Sequence, residues 1–303
     1  YSNSSSLSRL LTANFNASYH LDLPSDFALD VMVGAEVKQR TGLSNSIAGR
    51  NFIVPGVYSI ANVSEINGTD DVRVAHSKRR WAGVFGEVRA DYKGLASLSV
   101  TGRWDWTSTL LYEYSPYFYP SITGGVTLSE LIPGMTDTKN DWFSYLKLRG
   151  NWAMVGKDAP AYLFDRRFGQ YPTLPDGGYS YNPSFSTGFN LRPEMSSSWE
   201  VGVDVRFFAG RTRLDVAYYS IQTNNQIVTV RVPVTAGYVL QTRNEGSVKN
   251  HGVEISLEQD IIKKSDWTWT AAFNLGLNRG VVVDLPDDVD RIAGTQYGDI
   301  FPA

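Results

Sequence analysis

The sequence predicts an all-β fold, an antiparallel sheet that crosses a membrane as β-barrel wall, and three observations carry that prediction. Apolar and polar residues alternate with a period of two through about ten segments. The clearest segments run about a dozen residues, longer than the roughly five or six of an ordinary globular strand and enough for the about 9 to 11 that a tilted membrane strand needs. The connections between them alternate, with the tight turns on one side and the long loops on the other, the asymmetry of bacterial outer-membrane barrels.

The pattern is clearest in the hairpin Arg79 to Thr107. Ala82, Val84, Gly86, Val88, Ala90 and Tyr92 share one parity and Gly83, Glu87, Arg89 and Asp91 the other. Past Lys93-Gly94, a tight glycine turn, Ala96, Leu98, Val100, Gly102, Trp104 and Trp106 oppose Ser97, Ser99, Thr101, Arg103 and Asp105. Upstream, Ala13, Phe15, Ala17, Tyr19 and Leu21 alternate with Asn14, Asn16, Ser18 and His20. The chain turns at Asp22 to Ser25 and returns through Phe27, Leu29, Val31, Val33, Ala35 and Val37. The polar stretch from Gln39 to Lys78, broken by Pro55-Gly56 and Asn67-Gly68, reads as a long loop.

Downstream strands are expected from about Tyr117 to Ser129, from Trp142 to Met154, and from Trp199 to Phe207 with a return through Leu214, Val216 and Tyr218. Two more follow, through Val253, Ile255 and Leu257 and through Trp267 to Leu277. Long loops are expected over Gly156 to Ser197 and about Thr223 to Gly246, the second extending the strands at its base through Val228, Val230 and Val232.

Composition narrows the alternatives. With 303 residues and no cysteine there is neither a disulfide framework nor a thiolate metal site, and a formal net charge of -3 gives no reason to expect a nucleic-acid partner. No apolar run approaches the roughly 18 residues of a membrane helix, so a membrane span here has to be a closed barrel. The eight tryptophans, Trp81, Trp104, Trp106, Trp142, Trp152, Trp199, Trp267 and Trp269, all fall near expected strand ends, where an interfacial aromatic girdle belongs.

Several stretches resemble the SusC/RagA family of TonB-dependent outer-membrane transporters. Tyr92-Lys93-Gly94, Gly102-Arg103-Trp104-Asp105 and Tyr119-Pro120-Ser121 follow the family's "YDYKGKY" turn, "R-x-D-G-S-S" strand end and "FPS", although Trp106-Thr107-Ser108 stands where Gly-Ser-Ser is usual. Leu146 to Gly150 with Val155-Gly156 is similar to "LKLRxSYGxxG". Leu191 to Glu194, Trp199-Glu200, Gly202, Asp204, Phe208, Arg211 and Tyr218-Tyr219 follow a further family pattern, and Asn244 to Glu254 follows "N-x-G-x-x-x-N-x-G-x-E".

The resemblance implies a roughly 22-stranded barrel in the outer membrane of a Gram-negative bacterium. It implies a plug that meets TonB, a SusD-like surface lipoprotein as lid, and import of a glycan or peptide. The chain is then expected to be an internal wall segment, with plug, signal peptide and further strands lying outside it.

Candidate contacts follow. Tyr171, Tyr179, Tyr181 and Phe185, beside Asp176, Gly177 and Asn182 in a long loop, suit substrate or lid, though loops also pack on their own aromatics. Lys78, Arg79 and Arg80 would reach lipopolysaccharide phosphates, or form a plain charged loop base. No catalytic residue, cofactor or metal site is expected. His20 has no nameable nucleophile to make a barrel enzyme, and Asp284, Asp287, Asp288 and Asp290 miss the EF-hand spacing and read as a solvated loop. The alternative from another class is a soluble, lectin-like all-β module, whose apolar faces would have to meet a second layer.

Overall fold

The computed structural model describes residues 1–66, 71–132, 142–163, 168–170, 179–181, 186–187, 190–231, 233, 235, 240–285, 292–293 and 299–300. Ten long strands dominate: β1 (Ser2–Leu23), β2 (Phe27–Ala48), β3 (Val72–Tyr92), β4 (Ala96–Thr107), β5 (Tyr117–Thr127), β6 (Phe143–Lys157), β7 (Glu194–Phe207), β8 (Thr212–Asn224), β9 (Ser247–Lys263) and β10 (Thr268–Asp284). They form one antiparallel sheet in which every strand lies beside its predecessor in the chain. Short turns and the β5–β6 connection therefore share one end of the sheet, and the long loops share the other.

The turns are made by residues that tolerate left-handed backbone. Lys93 and Gly94 have φ of 52° and 69°, the mirror-image turn that matches strand twist. Asp26 in the neighbouring turn reaches Lys93 at 3.2 Å, and this contact raises the lysine pKa.

Register carries the main structural result. One rung passes through Leu21, Leu29, Ala90, Leu98, Gly124, Gly150, Val201, Tyr218, Val253 and Leu277, so that all ten strands contribute an apolar residue or glycine. The next rung passes through His20, Asp30, Arg89, Ser99, Thr123, Asn151, Glu200, Tyr219, Gly252 and Asn278. Since successive side chains point to opposite faces, one face carries an apolar belt and the other is polar. Phe15, Val100 and Phe273 on the apolar face are 66%, 47% and 57% exposed. Among the described residues no second layer covers that face, contrary to what a soluble sandwich requires.

Tilt makes the rungs climb. The rung that begins at Tyr19, Val31, Val88 and Val100 continues through Ile122, Trp152 and Trp199, then meets Ser220, His251 and Arg279. It leaves the apolar belt at the paired tryptophans.

Several expected boundaries are corrected. The stretch Gln39 to Lys78 is not one loop: β2 continues to Ala48 and β3 begins at Val72, while β1 starts at Ser2 rather than near Thr12. Polar residues on both faces hid these extensions. A strand beyond a membrane needs only its ladder hydrogen bonds, which neighbours supply over the full length. The fifth strand ends at Thr127 in a helical turn, Leu128–Leu131. Val228 and Val230 do not lengthen the barrel strands. They sit in Ile227–Arg231, which pairs with Leu240–Asn244 in a separate three-stranded sheet with Ser186–Thr187. Val232 lies outside the described residues.

The two faces make opposite demands on charge. In the intact receptor, Val100→Arg on the apolar face is expected to lower stability by about 2–4 kcal/mol, the cost of an arginine at the middle of a bilayer. Ser99→Arg, one residue away beside Glu87, is expected to cost less than about 1 kcal/mol. Denaturant unfolding from lipid vesicles checks the pair; equal costs would contradict the assignment of faces.

Candidate functional site

The polar face is the candidate site, and period-two alternation places its residues. Glu36 takes hydrogen bonds from Arg103 (3.0 Å) and sits 2.8 Å from Lys38. Arg103 also donates to Asp105 (2.7 Å), and the Tyr119 hydroxyl donates to the same carboxylate. Ser99 donates to Glu87 (2.7 Å), and Thr101 and Ser121 share a bond of 2.6 Å. Further round the wall, Arg149 grips Asp215 with both terminal nitrogens and Arg213 pairs with Glu258. The charges thus compensate one another strand by strand.

One hollow interrupts this wall. It has a volume of about 340 Å³ and is mostly apolar, with Met32, Phe85, Pro120 and Met154 beside Arg103 and Tyr119. Phe85 occupies the space that Gly34 leaves: a Cβ on Gly34 would stand 2.3 Å from the ring tip. The Arg103 guanidinium lies 5.3 Å from the Phe85 ring centroid, within cation–π range.

A second knot lies at the loop end. The carboxylate of Asp158, 8% exposed, accepts hydrogen bonds from Thr107, from Thr109 (2.6 Å) and from Arg79 Nε (3.2 Å). Arg79 in turn stacks on Trp81, 4.2 Å from the ring centroid. Tyr162, four residues past Asp158, accepts a hydrogen bond from the Lys78 backbone N–H (3.0 Å), where β3 has outrun its β4 partner. Together these contacts tie the start of the β6–β7 connection across two strands to β3.

The residues expected from sequence fall out as follows. Trp104, Trp106, Trp152, Trp199 and Trp269 lie on the apolar face, and Trp142 and Trp267 at the turn end, all exposed. Trp104 packs on Phe118 (4.3 Å) and Trp199 on Tyr218 (5.3 Å) near the loop end; Trp142 joins Phe143 and Phe207 at the other. Trp81 is the exception. Its parity is that of Gly83 and Glu87, so it faces the polar side between Arg79 and Arg40 and is no part of an outward row.

Lys78, Arg79 and Arg80 divide as well. Lys78 and Arg80 share the outward parity, while Arg79 turns in to Asp158. Tyr179 and Tyr181 lie in a short strand, Tyr179–Tyr181, paired with Phe168–Gln170 in the β6–β7 connection; Tyr171 and Phe185 lie outside the described residues.

His20 has both ring nitrogens engaged, by Asp30 (2.6 Å) and Asp22 (3.2 Å), which leaves neither to act as base toward a hydroxyl. Among the described residues no group of three acidic or histidine side chains could hold a metal. Asp284 ends β10, and Asp287, Asp288 and Asp290 lie outside the described residues.

Reading the sequence found the polar parity but missed Asp158 and the Phe85–Gly34 contact. Arg103 and Asp105, two apart on one face, were a usable signal for the first network. Nothing local marks Asp158, because its partners lie on other strands.

Two substitutions test these contacts in the intact receptor. Asp158→Ala strands Arg79 and two hydroxyls, and is expected to cost about 1–3 kcal/mol and to speed amide hydrogen exchange at residues 158–163 while β4 stays protected. Gly34→Val displaces Phe85 and is expected to cost about 1–3 kcal/mol; an unchanged melting temperature would show that the ring does not depend on that space.

Residues 1–300 match the family model described as TonB dependent receptor-like, beta-barrel. A TonB-dependent receptor of Formosa agariphila is 27% identical over 85% of this chain and 25% of its own length. The TonB-dependent receptor SusC of Bacteroides thetaiotaomicron is 27% identical over 71% of this chain and 22% of its own. The chain therefore spans about a quarter of the length of such relatives. Among solved structures, the RagAB peptide transporter matches 99% of this chain and 34% of its own with a TM-score of 0.81 at 19% identity. The outer membrane transporter YddB from Escherichia coli matches 91% and 34% with a TM-score of 0.60 at 9% identity. With its register, its connections and the family model all in agreement over nearly the whole length, this chain belongs to the TonB dependent receptor-like β-barrel family.

Proposed function

We propose that this chain is wall of a SusC/RagA-type importer in the outer membrane of a Gram-negative bacterium, taking up an oligosaccharide or a peptide. The observation that carries the reading is the pair of ten-strand rungs, one wholly apolar and one polar, in a sheet with no covering layer among the described residues. Lipid meets the first face and a hydrated, plugged lumen the second. The turn end then lies in the periplasm and the long loops outside, with Trp104, Trp106, Trp152 and Trp199 along the outer interface and Trp142, Trp267 and Trp269 along the inner one.

The chain's own share of transport is passive. Its polar face offers fixed, mutually compensated charges, and its loops offer aromatic contacts to substrate or to a SusD-like lipoprotein lid. Work comes from the proton-motive force through TonB, acting on a plug that this stretch does not supply. Likeness to a protein described as a peptide transporter supports a peptide as cargo, and the oligosaccharide reading rests on the resemblance of the sequence motifs to the SusC/RagA family. Catalysis plays no part, in keeping with a family of receptors and transporters.

Uptake by cells tests the reading. Accumulation of labelled oligosaccharide or peptide is expected to stop on adding a protonophore or deleting TonB, and the protein is expected to leave the membrane only with detergent. Replacing Tyr179 and Tyr181 together by Ala is expected to weaken uptake about tenfold, equal to ~1.4 kcal/mol. A monodisperse protein in the detergent-free soluble fraction would contradict the whole reading.

A further inference from the structure

The two faces of the wall treat charge differently. On the polar face Arg89, Arg103, Arg149 and Arg213 each meet a carboxylate. On the outward parity of the ten strands there is no Asp or Glu short of Asp284, which a register shift at the end of β10 sets opposite Ser247, far along the sheet from Arg9, Lys78 and Arg80, which stand there in a group. Arg9 and Lys78 share a rung with Thr41 between them; Arg80 shares the next outward rung with Leu11 and Gln39. Strand spacing puts Arg9 and Lys78 about 10 Å apart, with Arg80 about 7 Å along from Lys78. All three are exposed, and none has a carboxylate partner among the described residues; Arg80 donates only to the Gln39 amide, at 2.9 Å.

Their height matters as much as their charge. Directly below lie Ala13, Val37 and Ala82 beside Trp106, where the apolar belt begins, and Leu11, Phe15, Val37 and Val84 are exposed along it. Above the cations the same face opens into a hollow of about 380 Å³ whose lining includes Leu7, Arg9, Thr41, Leu43, Lys78 and Tyr162.

We propose that Arg9, Lys78 and Arg80 form a binding site for the phosphate of a phosphorylated, multiply acylated lipid of the outer leaflet, with its acyl chains lying on the belt below. The assignment rests on the membrane reading above and goes beyond it by naming the site and its ligand chemistry. Long cationic side chains spaced this way can converge on one phosphate, the Thr41 hydroxyl adds a donor, and the absence of outward carboxylates nearby removes competing partners. Arg79, between them in sequence, contributes nothing because Asp158 holds it on the other face. An acidic protein surface would match the charge but would leave the exposed belt immediately below without a role.

The test uses the intact receptor in detergent, stripped of endogenous lipid and titrated with bisphosphorylated lipid A, its dephosphorylated counterpart, or inorganic phosphate, with bound lipid read by native mass spectrometry. Wild-type protein is expected to prefer the phosphorylated lipid by about tenfold or more, the worth of one or two charge-assisted hydrogen bonds. Inorganic phosphate is expected not to compete. The triple variant R9Q/K78Q/R80Q, checked for a folded barrel by heat-modifiable migration, is expected to lose the preference, while Lys147→Gln on the polar face keeps it. If the triple variant does not fold, Lys78→Gln alone is expected to reduce the preference several-fold. A variant that retains the full preference, equal binding of the two lipids by wild-type protein, or loss of an acidic protein partner with the lipid preference intact would each overturn the proposal. A receptor that needs no detergent would fail the membrane reading itself, whereas one held in the membrane without phosphate preference would fail only this site.

Discussion

Hydrocarbon offers a peptide group no hydrogen-bond partner, so each backbone N–H and C=O that crosses it has to be taken up by a neighbouring strand. That constraint explains why every long strand of this chain lies beside its predecessor and why the pairing runs almost unbroken; the register shifts fall near strand ends, at Arg206/Phe207, Asp260/Ile262 and Ser247/Val248. Once the ladder is fixed, side-chain direction is no longer free. A slip of one residue in any strand would turn its whole apolar set toward the lumen, so a rung of eight apolar residues and two glycines is a stringent agreement among ten separate stretches of sequence. It also explains the outer strands, since β1 and β10 each keep one edge with no partner strand among the described residues. An edge of that kind is untenable in lipid, and the relatives of which this chain spans about a quarter are correspondingly longer.

Much of this was legible in the sequence because a two-residue period is a local property. Val84 and Val88, or Leu275 and Leu277, announce their face without knowledge of any partner. The alternation of connection lengths was equally readable and fixed the orientation of the turns. What stayed hidden was information with no local period. Gln39 to Ala48 reads as loop, and Ser2 to Leu11 falls outside the first expected strand, because no continuous apolar face distinguishes them, yet they pair along their whole length. Proximity to a strand end grouped Trp81 with the other tryptophans, although its parity with Gly83 and Glu87 already placed it on the polar side. Asp158 could not have been found, because Thr107, Thr109 and Arg79 reach it only through the register of four strands.

The same division governs electrostatics. Carboxylates are confined to the lumen parity, where they neutralise arginines and leave a wall that is polar yet nearly balanced. The outward parity carries no carboxylate along the apolar belt, and its cations appear only where that belt stops. Burial alone does not produce that pattern, since Glu87 and Asp91 belong to the same strand as Lys78 and Arg80 and differ from them by parity.

Reagent access along β4 tests the central claim most directly. The chain itself carries no cysteine, so single cysteines placed in turn from residue 96 to 107 of the intact, membrane-embedded receptor report each position without background from this stretch. Even-numbered positions, from Ala96 through Trp106, are predicted to react with a lipid-soluble maleimide and resist a membrane-impermeant one. Odd-numbered positions are predicted to favour the aqueous reagent, apart from Thr107, which is packed against Asp158. Uniform labelling along the strand, or water-soluble reagent reaching Leu98 and Val100 as readily as Ser99, would contradict the account.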